Sequence, residues 1–290
     1  MSLYDYHVFN TVVQQGSFNR ASRLLHVTPS AVSHIIAKLE NDFGFPLLYR
    51  DRNGISLTPD GQKMLPSIQE ILRCDEQLNQ QIAELNDVTG GQVRIGAFSS
   101  VASNWLPRII KKFKKDHPMV SVSVLQGSYG EIARWLETDA VDLAFVTGVY
   151  KPGEEVELNH IRTEKLMCAL PPNYRIGRRK KVTLSDIEDL TFIHSTSDSD
   201  NEITQYVDDY DVNPGYEYVF DDDKAKLAMV EQGLGMCVVP ELVLENNPFK
   251  IKILPVDPAG TRDIYLAVAH ARFMAPATEA MKECILDSLV

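Results

Sequence analysis

Residues 17–43 read SFNRASRLLHVTPSAVSHIIAKLENDF and decide the fold of the N-terminal region. Ser17 is a predicted N-cap, and the apolar residues that follow it recur at helical spacing. Thr28 is a second predicted N-cap before Pro29, whose missing N–H costs nothing at the first helical position. Two short helices joined by a tight turn are typical of a helix-turn-helix. Two ordinary helices of a bundle are the alternative interpretation.

The second of these helices has an apolar stripe and a small polar outer face. A recognition helix presents its N-terminal residues to base edges in the major groove. We therefore predict that this face and the starts of both helices contact DNA. The predicted DNA-binding residues of this region are Ser17, Asn19, Arg20, Thr28, Ser30, Ala31, Ser33, His34 and Lys38.

Four short motifs carry a resemblance to a known family. They are ASRLLHVTPSAVS at 21–33, LE at 39–40, FGFPLLYR at 43–50 and LTPDG at 57–61. These motifs resemble the DNA-binding signature of LysR-type transcriptional regulators, and a weaker resemblance continues to the C-terminus. It implies a winged helix-turn-helix, a dimerising linker helix and a two-lobed effector domain.

Three positions of the recognition helix depart from the common pattern of that family. Pro29 and Ile35 stand where Gln is frequent, and His34 stands where Arg is frequent. The resemblance therefore assigns the fold but not the particular base contacts.

A hairpin is predicted directly after the helix-turn-helix. Residues 49–57 read YRDRNGISL, and Asn-Gly between extended segments is typical of a tight hairpin. On a helix-turn-helix such a hairpin is a wing. We predict that Arg50 and Arg52 lie close to phosphate or the minor groove; a plain surface hairpin is the alternative.

A long helix is predicted from Pro59 to about Asn86, roughly 40 Å at ~1.5 Å per residue. Its apolar residues form a heptad seam that is broken only at Asp75. Because its own small domain offers nothing to bury this seam, we predict dimerisation through it. Packing onto the C-terminal domain of the same chain is the alternative. The seam residues are Met64, Ile68, Ile71, Leu78, Ile82 and Leu85.

The rest of the chain alternates predicted strands and helices, which indicates a parallel sheet with right-handed crossovers. Two α/β lobes that cross near residues 160 and 267 resemble periplasmic binding proteins. The predicted fold is thus a mainly α winged helix-turn-helix joined by a linker helix to a two-lobed α/β effector domain. The predicted boundaries are 1–58 (DNA-binding), 59–88 (linker) and 89–290 (effector domain, with lobe 1 about 92–161 and 267–290 and lobe 2 about 162–266).

Hydroxyl-bearing residues follow the predicted strands of both lobes, including a serine-rich loop at 99–103. Ligands of open α/β sheets bind at the carboxyl ends of strands. Hydroxyls and helix N-termini suit an anion, whereas an acidic run at 198–202 would repel one, so the charge of the ligand stays open. Each serine taken alone is explained as a helix cap. The predicted effector-binding residues are Ser99, Ser100, Ser103, Ser128, Thr147, His194 and Thr196.

The net charge of −11 lies mainly outside the DNA-binding region. Residues 1–58 carry five basic and four acidic side chains, whereas residues 59–88 carry two and six. A near-neutral binding domain implies few phosphate contacts per subunit, so several copies are expected to bind together.

The sequence offers little for catalysis, metals or membranes. It has no dinucleotide-binding, P-loop or nucleophile-elbow motif, and its histidines show no metal-ligand spacing. No apolar run approaches the ~18 residues of a membrane span, and a basic-then-apolar leader is lacking. We therefore predict a cytoplasmic protein that is not an enzyme and needs no cofactor, no metal and no membrane.

The cysteines leave one rival function open. Cys74, Cys168, Cys237 and Cys284 are widely scattered without a Cys-x-x-Cys pair, which favours buried or unreactive thiols. A redox switch through Cys168 or Cys237 is nevertheless an alternative function. A second alternative is an enzyme built on the two-lobed domain.

The predicted function is a sequence-specific DNA-binding transcriptional regulator. A small-molecule effector between the lobes would modulate how it binds or bends its operator. The predicted partners are double-stranded DNA, the effector, further copies of this chain in a homodimer or homotetramer, and RNA polymerase as an additional candidate.

Overall fold

The computed structural model describes residues 1–51, 54–85, 90–153, 156–183, 185–186, 191–195, 201–209, 215–269 and 274–290. The N-terminal part consists of three helices, a hairpin and a long helix. These are α1 (Leu3–Gln15), α2 (Phe18–Leu24), α3 (Pro29–Phe43), β1 (Leu48–Asp51), β2 (Gly54–Leu57) and α4 (Pro59–Leu85).

Both predicted helix starts of the helix-turn-helix are present. The Ser17 hydroxyl accepts a hydrogen bond from the Arg20 N–H, and the Thr28 hydroxyl accepts one from the Ala31 N–H. Pro29 occupies the first turn of α3. These acceptors satisfy backbone donors that no helical carbonyl can reach, so the predicted caps are confirmed.

Two residues of the LysR-like signature hold the hairpin against the N-terminal core. The Glu40 carboxylate accepts the N–H groups of Leu47 and Leu48 at 2.8 and 3.2 Å. A Cβ at Gly61 would lie 2.2 Å from the Leu47 carbonyl oxygen, so only glycine allows this close approach. The core itself contains Val8, Phe9, Val12, Ala21, Val32, Ile36, Leu39, Leu47, Leu48, Leu65 and Ile68.

The two halves of α4 have different surroundings. Ile68 is buried in the N-terminal core and only 1% exposed, whereas Ile71, Leu78 and Ile82 are 43, 55 and 47% exposed. This corrects the expectation that nothing in the small domain covers the seam, because the N-terminal core buries its first part. The seam residue Leu85 has its side chain outside the described part of the structure.

The C-terminal part is an α/β domain. Its elements are β3 (Gly91–Ala97), α5 (Ser99–Asn104), α6 (Leu106–Asp116), β4 (Val120–Gln126), α7 (Tyr129–Glu137), β5 (Leu143–Thr147), β6 (Val156–Leu170), β7 (Val182–Thr183), β8 (Thr191–His194), α8 (Asn201–Asp209), β9 (Gly215–Val219), α9 (Asp223–Glu231), β10 (Cys237–Pro240), α10 (Glu241–Leu244), β11 (Lys252–Asp257), β12 (Thr261–Ala269) and α11 (Pro276–Leu289).

Two predictions about this domain were wrong in detail. The sheet is mixed rather than parallel: β4, β3 and β5 are parallel, but β12 is antiparallel to β5 and β6. The serine-rich segment is not a loop but the helix α5. The helix is anchored from its start to its end by Phe98, Val101 and Trp105, which recur at helical spacing and are buried in the core.

The long strands β6 and β12 connect two lobes. They pair along residues 156–165 and 261–269. The first lobe packs β3, β4 and β5 against α5, α6, α7 and α11, and the second contains β8 to β11 with α8 and α9. Each lobe therefore has its own core. Among the described residues, no helix has the length and apolar character to span a membrane.

Candidate nucleic-acid interface and effector cleft

The outer face of α3 is the candidate DNA-reading surface. Thr28, Ser30 and His34 are exposed, whereas Val32 and Ile36 are fully buried. The helix therefore presents its N-terminal polar residues to solvent and its apolar residues to the core, as a recognition helix does. Of the other predicted contact residues, Asn19 and Arg20 are exposed, and Ser17, Ala31 and Ser33 are half-buried.

The hairpin lies where the wing was predicted. Arg50 belongs to β1, where its backbone pairs with Ile55 of β2. The side chain of Arg50 and the whole of Arg52 lie outside the described residues, so their predicted contacts with DNA stay predictions.

Lys38 has a partner within the chain. Its ammonium lies 3.0 Å from the carboxylate of Asp5, which is 4% exposed and caps the start of α1 together with Ser2. The hydrogen bond to Asp5 raises the pKa of Lys38. This pair ties α3 to α1, a role that the sequence pattern did not predict.

The junction between α4 and the first lobe carries a second polar cluster that the sequence did not predict. Arg73 of α4 forms an ion pair with Asp139, and both side chains are largely buried. Gln14 donates to the Thr138 carbonyl at 3.0 Å, and Arg94 donates to the Asp139 carbonyl at 2.9 Å. A cavity of about 800 Å³ lies beside this cluster, between α1, α4 and the start of β3.

The predicted serines of α5 line a cleft between the lobes. Ser99, Ser100 and Ser103 form one wall of a cavity of about 120 Å³, and the start of α9 forms the facing wall. The Ser99 hydroxyl lies 3.5 Å from the Asp223 carboxylate across this cleft. Since the walls include Ser and Asn side chains, two carboxylates and a lysine, the cleft favours a polar ligand.

The hydroxyls of the other two serines are engaged within the protein. Ser100 accepts a hydrogen bond from Arg262 at 3.3 Å, and Ser103 donates to the Ser99 carbonyl at 2.9 Å. Arg262 is 3% exposed and is held by an ion pair with the buried Glu164. Arg262 therefore supports Ser100 of the cleft wall, but no local motif marks it because its partner Glu164 is 98 residues away.

Three of the remaining predicted effector residues do not line this cleft. Ser128 forms a capping box with Glu131 at the start of α7. Thr147 lines a separate pocket of the first lobe, and the His194 ring nitrogen Nδ1 lies 2.7 Å from the Ser195 carbonyl oxygen. Thr196 lies outside the described residues.

A fully buried lysine near the cleft was also missed. Lys226 of α9 donates to the Ser195 hydroxyl at 2.8 Å and lies 2.9 Å from the Asp223 carboxylate. The spacing of three between Asp223 and Lys226 on a helix could have indicated this ion pair. The Asp223 carboxylate therefore contacts both Ser99 across the cleft and the buried ammonium of Lys226.

The two candidate redox cysteines lie on neighbouring strands but pack in different cores. Cys168 of β6 is opposite Val238, and Cys237 of β10 is opposite Ala169. Burial raises the pKa of the Cys168 thiol well above its ordinary value. Within the described ranges, no group of three or more His, Cys, Asp or Glu side chains could hold a metal ion.

Comparisons with known proteins agree with this architecture. Residues 3–62 match the family "Bacterial regulatory helix-turn-helix protein, lysR family", and residues 86–290 match the "LysR substrate binding domain". The uncharacterized HTH-type transcriptional regulator YvbU of Bacillus subtilis (strain 168) is 27% identical over 271 residues, which cover 92% of each chain. These matches are transcriptional regulators and not enzymes.

Two solved structures show the same fold. A full-length single-site variant of OxyR from Pseudomonas aeruginosa has a TM-score of 0.75 at 19% identity, covering 100% of this chain and 94% of that one. Full-length CbnR in complex with its target DNA has a TM-score of 0.58 at 20% identity and full coverage of both chains. The chain therefore belongs to the LysR family of DNA-binding transcriptional regulators, with a helix-turn-helix domain followed by an effector-binding domain.

Proposed function

We propose that this regulator reads its operator with the outer face of α3 and responds to a small polar effector bound between the lobes. The observation that carries the DNA-reading part is the separation of α3 into an exposed polar face with Ser30 and His34 and a buried apolar face. The cleft between Ser99 and Asp223 supports the effector part, because a ligand there contacts both lobes at once. Effector binding would then shift the lobes and change the operator complex.

The proposed assembly is a homodimer or homotetramer. Its support is the exposed apolar stripe of Ile71, Leu78 and Ile82, because soluble proteins normally cover such stripes with a partner. The domain division at 1–58, 59–88 and 89–290, the cytoplasmic location and RNA polymerase as an additional partner belong to the same proposal.

Titration of operator and random DNA at several salt concentrations tests the roles on the DNA face. Ser33→Ala or His34→Ala should reduce the preference for operator over random DNA by about 1–3 kcal/mol, the usual worth of a good base contact. Arg52→Ala should weaken binding to both DNAs alike and reduce the salt slope by roughly one unit per subunit. If the His34 and Arg52 variants lose affinity in the same sequence-independent way, these roles are assigned wrongly.

Lys38→Ala provides a matched control for charge. Because Lys38 pairs with Asp5, we leave it out of the proposed phosphate contacts. Its loss should lower the stability of the N-terminal domain without the change in salt slope expected for Arg52→Ala. A change in slope as large as that of the Arg52 variant would instead place Lys38 on DNA.

The effector cleft is tested once genome-wide footprinting of bound DNA has narrowed the effector class. Ser99→Ala should leave operator affinity without effector unchanged and weaken the effector response by about 1 kcal/mol, the worth of one hydrogen bond. A full response at the same effector concentration would place the effector elsewhere.

A redox-responsive regulator is less well supported. Cys168 is buried and its raised pKa keeps the thiol protonated, whereas redox-sensing cysteines are accessible thiolates. Thiol titration with and without peroxide separates the two functions. Loss of titratable Cys168 or Cys237 together with a change in operator binding would favour the redox switch.

A further inference from the structure

A second pocket lies in the first lobe, away from the cleft between the lobes. It has a volume of about 290 Å³ and is lined by α7, the end of β5 and the segment that follows β5. Its walls are mainly apolar: Ile132 and Phe145 are fully buried, and Val146 is 4% exposed. The pocket is therefore large enough for a single ring and lies at the carboxyl end of a parallel strand, where α/β sheets bind ligands.

Two hydroxyls on the pocket wall have unused hydrogen-bonding capacity. Thr147 is 3% exposed, and Tyr150 is half-buried. Within the described part of the chain, neither hydroxyl makes a hydrogen bond to another residue. Since the Thr147 hydroxyl lies on the pocket wall without a bond to a described residue, it is available to a polar group that enters the pocket.

The charges around the pocket favour an uncharged occupant. Glu137 and Lys151 both lie at its edge, so neither sign of charge is preferred. Burial, with Glu137 nearby, raises the pKa of Tyr150 and keeps its hydroxyl protonated. A charged group drawn into the apolar interior would lose its hydration without gaining an ion pair.

We propose that this pocket binds a small, uncharged aromatic molecule that carries one hydroxyl or a comparable hydrogen-bonding group. The ring would lie against Ile132 and Phe145, and the polar group would bond to Thr147. This site is separate from the proposed effector cleft, so the protein would sense two molecules of different polarity.

Hydrogen bonds through Arg262 link the pocket to the wall of the cleft. Tyr129 lines the pocket, and its hydroxyl accepts a hydrogen bond from Arg262 at 2.9 Å. Arg262 in turn donates to Ser100 of α5. An occupant that contacts the Tyr129 ring therefore acts on the same residues that shape the cleft.

Binding of phenol and toluene to the full-length protein tests the site, because the two molecules differ mainly in the hydroxyl. Ala133→Phe should fill the pocket and weaken both ligands at least about tenfold. Arg134→Phe is the matched control: it places the same side chain on the neighbouring, exposed position of α7, and both ligands should bind it as they bind the wild type. Titrations followed by ligand-observed NMR give these affinities. Absence of binding to the wild type, or equal binding to the Ala133→Phe variant, would overturn the proposal.

Thr147→Val tests the hydrogen bond and does not depend on how the Phe variant folds. Since the hydroxyl has no partner among the described residues, the melting temperature should stay equal or rise. Phenol should bind about fivefold more weakly, as expected for one lost hydrogen bond, and toluene equally well. An unchanged ratio of phenol to toluene affinity would show that Thr147 does not hold the polar group, and the proposed ligand class would be wrong.

Amide hydrogen exchange tests the link to the cleft. Phenol should slow exchange in α5 of the wild type, and Tyr129→Phe should retain phenol binding but remove this effect, because Arg262 loses its acceptor. Slower exchange in α5 of both proteins would show that the pocket does not act through Tyr129.

Discussion

The two halves of α4 follow one apolar repeat but have different surroundings. Ile68 lies in the N-terminal core and is 1% exposed, whereas Leu78 and Ile82, further along the same seam, are about half exposed. Periodicity determines which residues share a helix face, but it does not determine what covers that face. The first half therefore serves the stability of one chain, whereas the second half exposes large apolar side chains.

The largest effect is expected where the seam is buried in its own chain. Ile68→Asp places an unpaired carboxylate in the core and should lower the free energy of unfolding of the N-terminal domain by more than about 4 kcal/mol. Ile71→Asp, three residues further, is the matched control and should cost little because Ile71 is 43% exposed. Urea denaturation, monitored by limited proteolysis of the N-terminal domain, compares the free energies of unfolding of the two variants. Equal destabilisation by the two variants would show that the halves do not differ.

A somewhat smaller effect is expected at the exposed half, and only on association. Leu78→Asp combined with Ile82→Asp should weaken dimerisation by about 3 kcal/mol, a more than hundredfold change, because carboxylates without partners would be buried between subunits. The stability of the N-terminal domain should stay the same. Sedimentation that shows an unchanged oligomer would mean that this half is not the dimer contact.

The ion pair of Arg73 with Asp139 lies between the two halves of α4. Arg73→Ala should destabilise the contact between α4 and the first lobe by about 2 kcal/mol, since a largely buried charge loses its partner. Asp139→Asn removes the charge of the partner without straining the backbone, because Asn tolerates the left-handed conformation, φ +52°, of this position. A double-mutant cycle measured by urea denaturation gives the coupling. Additive effects would show that the pair does not join the two domains.

The smallest effect concerns Glu76, which lies beside this pair on α4. Burial raises the pKa of Glu76, although Arg94 lowers it in part. The folded state therefore holds a proton at pH values where the unfolded chain has released it, so this contribution to stability decreases as the pH rises through the raised pKa. Glu76→Gln should make the protein slightly more stable at neutral pH and flatten the pH dependence of the free energy of unfolding above the ordinary glutamate pKa of 4.5. An unchanged pH profile would contradict this assignment.

Local chemistry in the sequence determined the DNA-binding half of the molecule. The caps at Ser17 and Thr28, the hairpin of β1 and β2, and α4 with its starting proline depend on residues within a few positions of one another. Such contacts are specified by neighbouring residues, which is why the order of these elements and the LysR resemblance could be predicted.

The same local chemistry predicted most strands and helices of the effector domain but not their arrangement. The strand β12 lies near the C-terminus of the sequence and pairs antiparallel with β5 and β6. The predicted parallel sheet was therefore wrong. The serine-rich segment of α5 was predicted as a loop. Serine is a weak helix former, but the buried side chains of Val101 and Trp105 stabilise the helix. Burial thus outweighed local propensity.

The sequence by itself determined the family, the recognition helix and the residues that share a face on α4. Only the tertiary structure decided which face of α4 is covered, that the ion pair of Arg262 with Glu164 supports Ser100, and that Thr147 belongs to a different pocket from Ser99. The physical reason is sequence separation. A cap or a turn is made by neighbours in the chain, whereas a buried ion pair or a pocket wall joins residues that only the packing of both lobes brings together.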